Sequence, residues 1–133
     1  MTPELTLLAW TLVLAIVQIL LPAMLRNGET GLDYNASARD TASPAPVGKV
    51  TGRLQRAQRN LFETLPLFAA AVLIAHVVGR NGELTFWGAA LYLAARVVYV
   101  PLYAAGIPFV RSLAWLVSMA GLVMILVAIL APV

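Results

Sequence analysis

Apolar positions in this chain gather into four blocks, each about as long as a bilayer is thick: Leu5 to Leu25, Leu61 to Val78, Leu84 to Leu102, and Leu113 to Leu130. The first has Gln18 as its only strongly polar side chain. At ~1.5 Å per residue it reaches roughly 32 Å, enough to cross the hydrocarbon core. No block alternates with the period of a strand, and lipid admits only helices or closed barrels. The pattern predicts an all-α integral membrane protein, a bundle of four transmembrane helices. Glu4 stands where a signal peptide would carry basic residues, and the first block is longer than a signal core, so a retained span is expected.

Punctuation between the blocks fits one four-span domain covering 1–133. Residues 26–52 are rich in Gly, Asn, Asp, Ser, Thr and Pro, and predict a long irregular loop. The second helix is expected to begin near Thr51, ahead of its apolar block. Asn81 and Gly82 mark a tight connection that makes the second and third spans antiparallel neighbours. Gly106, Ile107 and Pro108 break the chain again, with Pro108 suited to the first turn of the last helix. Pro66 frees the carbonyl of Phe62 and is expected to kink the second span.

Of the 133 residues, 61% are hydrophobic and 11% charged, which excludes an ordinary soluble domain. There is no cysteine and one histidine, so disulfides, thiolate metal sites and a protein-borne nucleophilic thiol are excluded. The net charge of +3 is unevenly spread. Arg26, Arg39, Lys49, Arg53, Arg56 and Arg59 precede the second block and Arg111 the fourth, whereas the middle connection carries only Arg80. The positive-inside rule then places the first and third loops in the cytoplasm and both termini outside.

Two polar stripes interrupt the apolar pattern. Arg53, Arg56, Asn60 and Glu63 fall within an arc of roughly 80° on a helix, and Tyr92, Arg96, Tyr99 and Tyr103 within roughly 60°. An ionised residue at the centre of a span costs about 2.5 to 3.5 kcal/mol on insertion scales, so Glu63 is expected to pair with a cation or sit near the interface, and Arg96, flanked by apolar residues, must face protein or water. One reading is a structural ion pair between Arg96 and Glu63, with the tyrosines in an interfacial belt; the other is a functional site. Gln18 is expected to hydrogen-bond between helices, and His76, Trp10, Trp87 and Trp115 to serve packing and interfacial anchoring.

In RLQRAQRNLFETLPLF, followed by ARVVYVPLY and IPFVRSLAW, the chain resembles the MAPEG family, the membrane-associated proteins of eicosanoid and glutathione metabolism. Its long first loop is most similar to the uncharacterised bacterial branch. The resemblance implies a homotrimer in the bacterial inner membrane, with glutathione as co-substrate bound between protomers near the cytoplasmic interface. Arg56, Gln58, Asn60 and Glu63 match the second-helix residues that hold the tripeptide, and Arg96, Tyr99 and Tyr103 match the third-helix residues. Arg111 corresponds to the arginine that stabilises the thiolate, after an alignment slip of one residue. Thr64 stands where one of the family's synthases, leukotriene C synthase, has a tyrosine after the glutamate.

The implied activity is a glutathione-dependent transferase or peroxidase acting on a lipophilic electrophile that enters from the bilayer. A permanent guanidinium beside sulfur suits that chemistry, because only the thiolate is strongly nucleophilic. Two alternatives stand beside it: a non-enzymatic family member that binds a lipid or partner in the same groove, and a small proton-coupled transporter with Glu63 as its titrating carboxylate.

Overall fold

The computed structural model describes residues 1–132, and all regular structure in it is helical. Helix α1 runs Pro3–Thr30, α2 Leu32–Ala36, α3 Lys49–Val77, α4 Glu83–Ala104 and α5 Pro108–Leu130. The four long helices are each apolar and long enough to cross a membrane.

Each begins or ends where local chemistry dictates. The Thr2 hydroxyl accepts from the Leu5 N–H at 3.2 Å, with Pro3 in the first turn of α1. At the start of α3 no side chain of its own caps the helix; Glu29, in the last turn of α1, accepts from the Gly48 N–H at 3.2 Å and the Thr51 hydroxyl at 2.5 Å. A negative group there also meets the positive end of the helix dipole. Arg80, just past α3, donates to the carbonyls of Ala128, Ile129 and Ala131 and so closes the end of α5.

The first loop is more ordered than its composition suggests. Helix α1 continues past Arg26 to Thr30, and α2 forms within the segment expected to be irregular throughout. Asn35 ties α2 to the end of α1 through Thr30 and Asn27, both at 2.6 Å, while Arg26 pairs with Glu29 at 2.9 Å within the helix and also donates to the Pro46 and Ala45 carbonyls and the Ser43 hydroxyl. One guanidinium thus ties the far end of the loop back to α1.

Inside the bundle, α1 contributes Leu8, Thr11, Ala15 and Gln18 as one buried stripe facing α3 and α4. Phe68 of α3 stacks on Tyr92 of α4 with ring centroids 4.0 Å apart. The tightest seam is between α4 and α5, where Gly88 and Gly121 bring the two backbones together. A Cβ added at Gly88 would lie 2.6 Å from the Gly121 carbonyl oxygen. Small residues at such a seam are how helices gain dispersion contact in lipid. Within one chain only 22–39% of each span's most apolar stretch is buried, so most of the apolar surface faces lipid or further protein.

Candidate functional site

The residues of the α3 polar stripe do not share the buried face of their helix. That face carries Leu54, Ala57, Leu61, Thr64 and Phe68, whereas Arg56 and Glu63 are exposed and Arg53 and Asn60 half-buried. Helical geometry separates the two sets, and it turns the charged set toward the outside of the chain.

Helix α4 supplies the complementary wall. Arg96 is fully buried, and its Nη1 donates to Asn60 Oδ1 at 2.8 Å. Its guanidinium carbon lies 4.4 Å from the ring centre of Tyr99, and Tyr99 meets Tyr103 edge-to-face at 5.5 Å. Tyr103 is then shared by two more cations. Arg56 Nε donates to its hydroxyl at 3.2 Å, and the Arg111 guanidinium carbon lies 4.5 Å from its ring centre. Cations over aromatic faces hold one another's geometry without a carboxylate.

Two adjoining cavities open on this ladder. One, of about 260 Å³, is lined by Asn60, Tyr99, Tyr103, Arg111, Ser112 and Trp115. The other, of about 230 Å³, is lined by Arg53, Arg56, Tyr103, Gly106, Pro108 and Arg111. Neither lining contains a carboxylate, so three guanidiniums face space that an anion fits.

The α4–α5 turn fixes the second cavity. Gly106 has φ +75°, a left-handed conformation that favours glycine, and a Cβ there would meet the Arg53 guanidinium at 2.8 Å. Arg53 donates to the Ala104 carbonyl at 3.2 Å, satisfying one of the orphan acceptors at the end of α4.

Several expectations need correction. Glu63 and Arg96 are not an ion pair: Arg96 bonds Asn60 instead, because its side chain turns inward while Glu63 faces out. Tyr92 and Tyr99 are not part of an interfacial belt, since Tyr92 is completely buried and Tyr99 is 4% exposed, whereas Tyr103 is half-buried between Arg56 and Arg111. Tyr92 leaves the α4 stripe altogether and shares a hydrogen bond of 2.8 Å with Thr64 in the core. Thr64 therefore points away from the cavities. Gln18, expected to bond between helices, is 2% exposed with neither side-chain polar atom partnered by protein.

Gln58 lies elsewhere. It borders a separate pocket of about 250 Å³ with Arg26, Asn27, Asn35, Arg39 and Gln55, on the α1 side of α3. Ser112 and Trp115 were not singled out as site residues by the sequence; the one signal for them is their position in the first two turns of α5, next to Arg111.

Four long apolar helices around a common core, with a cluster of arginines and tyrosines at the end marked by the α4–α5 turn, define an integral membrane protein of the four-span helical class. The family model for the MAPEG family matches residues 7–131, and the chain belongs to that family. Comparison with curated proteins and with solved structures gives no match.

Proposed function

We propose that this protein is a glutathione-dependent transferase or peroxidase of the membrane, working as a homotrimer on lipophilic electrophiles. The observation that carries the reading is the outward-facing set on α3: Glu63 and Arg56 are exposed on a spanning helix, and Arg56 lines a cavity rich in guanidinium and free of carboxylate. Charge exposed sideways in hydrocarbon is costly, and a neighbouring protomer plus an anionic, amine-bearing ligand offsets that cost. Glutathione has two carboxylates for the arginines and one ammonium for Glu63.

The division of residues within one chain supports an interface site. Arg56, Asn60, Tyr103 and Arg111 form one wall, while Gln58 opens on the opposite side of α3 with Gln55 and Asn27. In a ring of copies the second wall of one protomer faces the first wall of the next. Arg96 in this arrangement acts through Asn60 rather than on the ligand. The position of Glu63 on the outer surface, away from the bundle interior, weighs against a proton path through a single chain.

In this reading Arg111, which lines both cavities, holds the thiolate. A free thiol ionises at about pH 8.5, and bringing that to about 6.5 requires roughly 2.7 kcal/mol of preferential stabilisation, within reach of one guanidinium in a partly dry site. The thiol proton leaves to water, and the thiolate sulfur forms its bond to an electrophilic carbon of a compound arriving from the bilayer as that carbon's bond to its leaving group breaks, the departing anion taking a proton from water. With a lipid hydroperoxide the sulfur instead takes the outer oxygen as the O–O bond breaks and the alcohol leaves, and a second glutathione then displaces that oxygen as water to give the disulfide. Trp115 and Tyr99 give the cavity an aromatic side for that compound. A bacterial inner membrane with the first and third loops cytoplasmic puts the site on the glutathione-bearing side.

The test is ultraviolet difference absorbance of the purified protein titrated with glutathione. A thiolate band in the parent protein at neutral pH, lost in Arg111→Ala, is the expected result. No band at saturating glutathione sinks the enzymatic reading and leaves a lipid- or partner-binding protein.

A further inference from the structure

Five buried polar atoms have no protein partner among the described residues, and four belong to two side chains at one level of the bundle: Gln18 Nε2 and Oε1, and Arg96 Nε and Nη2. Both side chains are nearly or completely inaccessible, at 2% and 0% exposure.

Their common level follows from two hydrogen bonds that set the register of α1. Near one end Glu4 accepts from the Thr85 hydroxyl at 2.7 Å, and near the other Glu29 accepts from Thr51. Gln18 follows Glu4 by as many residues as Tyr99 follows Thr85, and α1 and α4 run parallel. It also precedes Glu29 by as many residues as Phe62 follows Thr51 on the antiparallel α3. With a constant rise per residue, Gln18 lies level with Tyr99 and with the Leu61–Phe62 turn. The Arg96 guanidinium is at that same level, over the Tyr99 ring and against Asn60. Gln18 belongs to the buried stripe of α1, which faces α3 and α4, the two helices that hold Arg96.

We propose that the bundle holds a small cluster of ordered water at this level, bound between the Gln18 amide and the Arg96 guanidinium, and that it makes Gln18 a positioning residue for Asn60. The chemistry selects water. A buried water needs two to four polar partners, and this pair supplies the guanidinium N–H groups, the amide N–H groups and one carbonyl oxygen. A buried cation with a single neutral acceptor is under-solvated, and water restores what Asn60 and the Tyr99 face leave unmet. Asn60 lines the cavity of Tyr99, Tyr103 and Arg111. A guanidinium fixed on one side by water therefore presents Nη1 to Asn60 Oδ1 in one orientation, leaving the Asn60 amide group aimed at a ligand.

The water site stands on the unpartnered atoms alone; its effect on a ligand rests on the glutathione reading, so the test has two arms. In the first, the full-length protein, nitrogen-15 labelled in lipid nanodiscs, is examined for magnetisation transfer from water to side-chain N–H groups. Gln18→Leu and Arg96→Lys assign the signals. Transfer from water is expected at both Gln18 Nε2 and Arg96 Nε; the Arg96 signal should disappear in Gln18→Leu and persist in Gln18→Glu. Absence of transfer at either group in the folded parent protein overturns the proposal. If leucine disturbs packing, Gln18→Met keeps the side-chain length and carries the same expectation.

The second arm uses glutathione as the probe. Gln18→Leu should weaken its affinity by roughly fivefold, the size of one lost hydrogen bond, and Gln18→Glu should restore it. The pH at which the thiolate band forms should stay fixed, because Arg111 is untouched. Unchanged affinity in Gln18→Leu overturns the positioning role. Failure of glutathione to bind the parent protein at all defeats the proposed function, while transfer from water remains readable in the first arm.

Discussion

Arg96 Nη1 and Asn60 Oδ1 meet at 2.8 Å, and this bond joins the buried interior of the bundle to the wall of the cavity that Tyr99, Tyr103 and Arg111 line. The pairing assigns the charge of α4 to support. A completely buried guanidinium cannot itself meet an external carboxylate, but it fixes a half-buried amide that lines the cavity. A polar residue on α3 is thus held by a cation on α4, and the pair replaces the ion pair that the two stripes suggest.

Substituting Arg96 by lysine should separate these roles. An ammonium carries the charge but lacks the planar fork that bonds Asn60 while stacking over Tyr99. Glutathione affinity should fall by about tenfold, in line with the roughly 1.5 kcal/mol of one charge-assisted hydrogen bond. The protein should still assemble. Isothermal titration checks this, and an affinity equal to the parent's would show that Asn60 needs no such partner.

Thr64→Val removes one member of the buried Thr64–Tyr92 bond while keeping the side-chain shape. The Tyr92 hydroxyl is then stranded in the core, at a cost of about 1–2 kcal/mol. Thermal unfolding in detergent should shift downward while any glutathione-dependent absorbance remains. A changed absorbance with unchanged unfolding would instead place Thr64 at the ligand.

The four spans were legible because hydrocarbon imposes a length and a composition on each helix, and nothing subtler was needed for Leu5–Leu25 or Leu113–Leu130. The two stripes were legible as stripes, since helical arithmetic alone gathers Arg53, Arg56, Asn60 and Glu63. Their facing was not. Whether Arg96 turns toward Glu63 or Asn60 depends on the rotation of α3 against α4, which single-helix periodicity does not contain. Tyr92 shows the same limit: it shares an arc with Tyr99 and Tyr103, yet stacking on Phe68 draws it into the core. The order of the first loop escaped for another reason. It depends on Arg26 reaching backbone carbonyls across the loop, and composition carries no trace of such reach.

Loop order gives a second kind of prediction. Glu29 is the cap that α3 lacks within its own sequence, accepting from Gly48, Thr51 and Arg26. Glu29→Ala leaves the Gly48 N–H and the Thr51 hydroxyl at the start of α3 without their acceptor and releases Arg26 from its in-helix partner. Limited proteolysis should cut between residues 37 and 48 faster in the variant than in the parent, with the membrane core still protected. Equal cutting rates would show that the Arg26 hydrogen bonds hold the loop alone.

The α4–α5 seam carries the largest expected effect on stability. At Gly88 a Cβ would lie 2.6 Å from the Gly121 carbonyl oxygen and 2.9 Å from an Ile125 side-chain carbon. Backbone on one side and a buried side chain on the other leave no room to yield, so Gly88→Val must push the helices apart. Separation also loosens the packing of neighbours along the seam, among them Tyr92, whose backbone nitrogen lies close to Gly121. A loss of about 3 kcal/mol or more is expected, the upper range for overpacking in a tight core. The check is thermal unfolding of Gly88→Val beside Gly79→Ala. At Gly79 nothing lies within 4 Å of an added Cβ, and only its φ of +71° opposes the change. That control should cost about 1 kcal/mol from backbone strain. Should Gly88→Val unfold no earlier than Gly79→Ala, helix packing at this seam would not be limited by the missing side chains, and the close approach of α4 to α5 would have another cause.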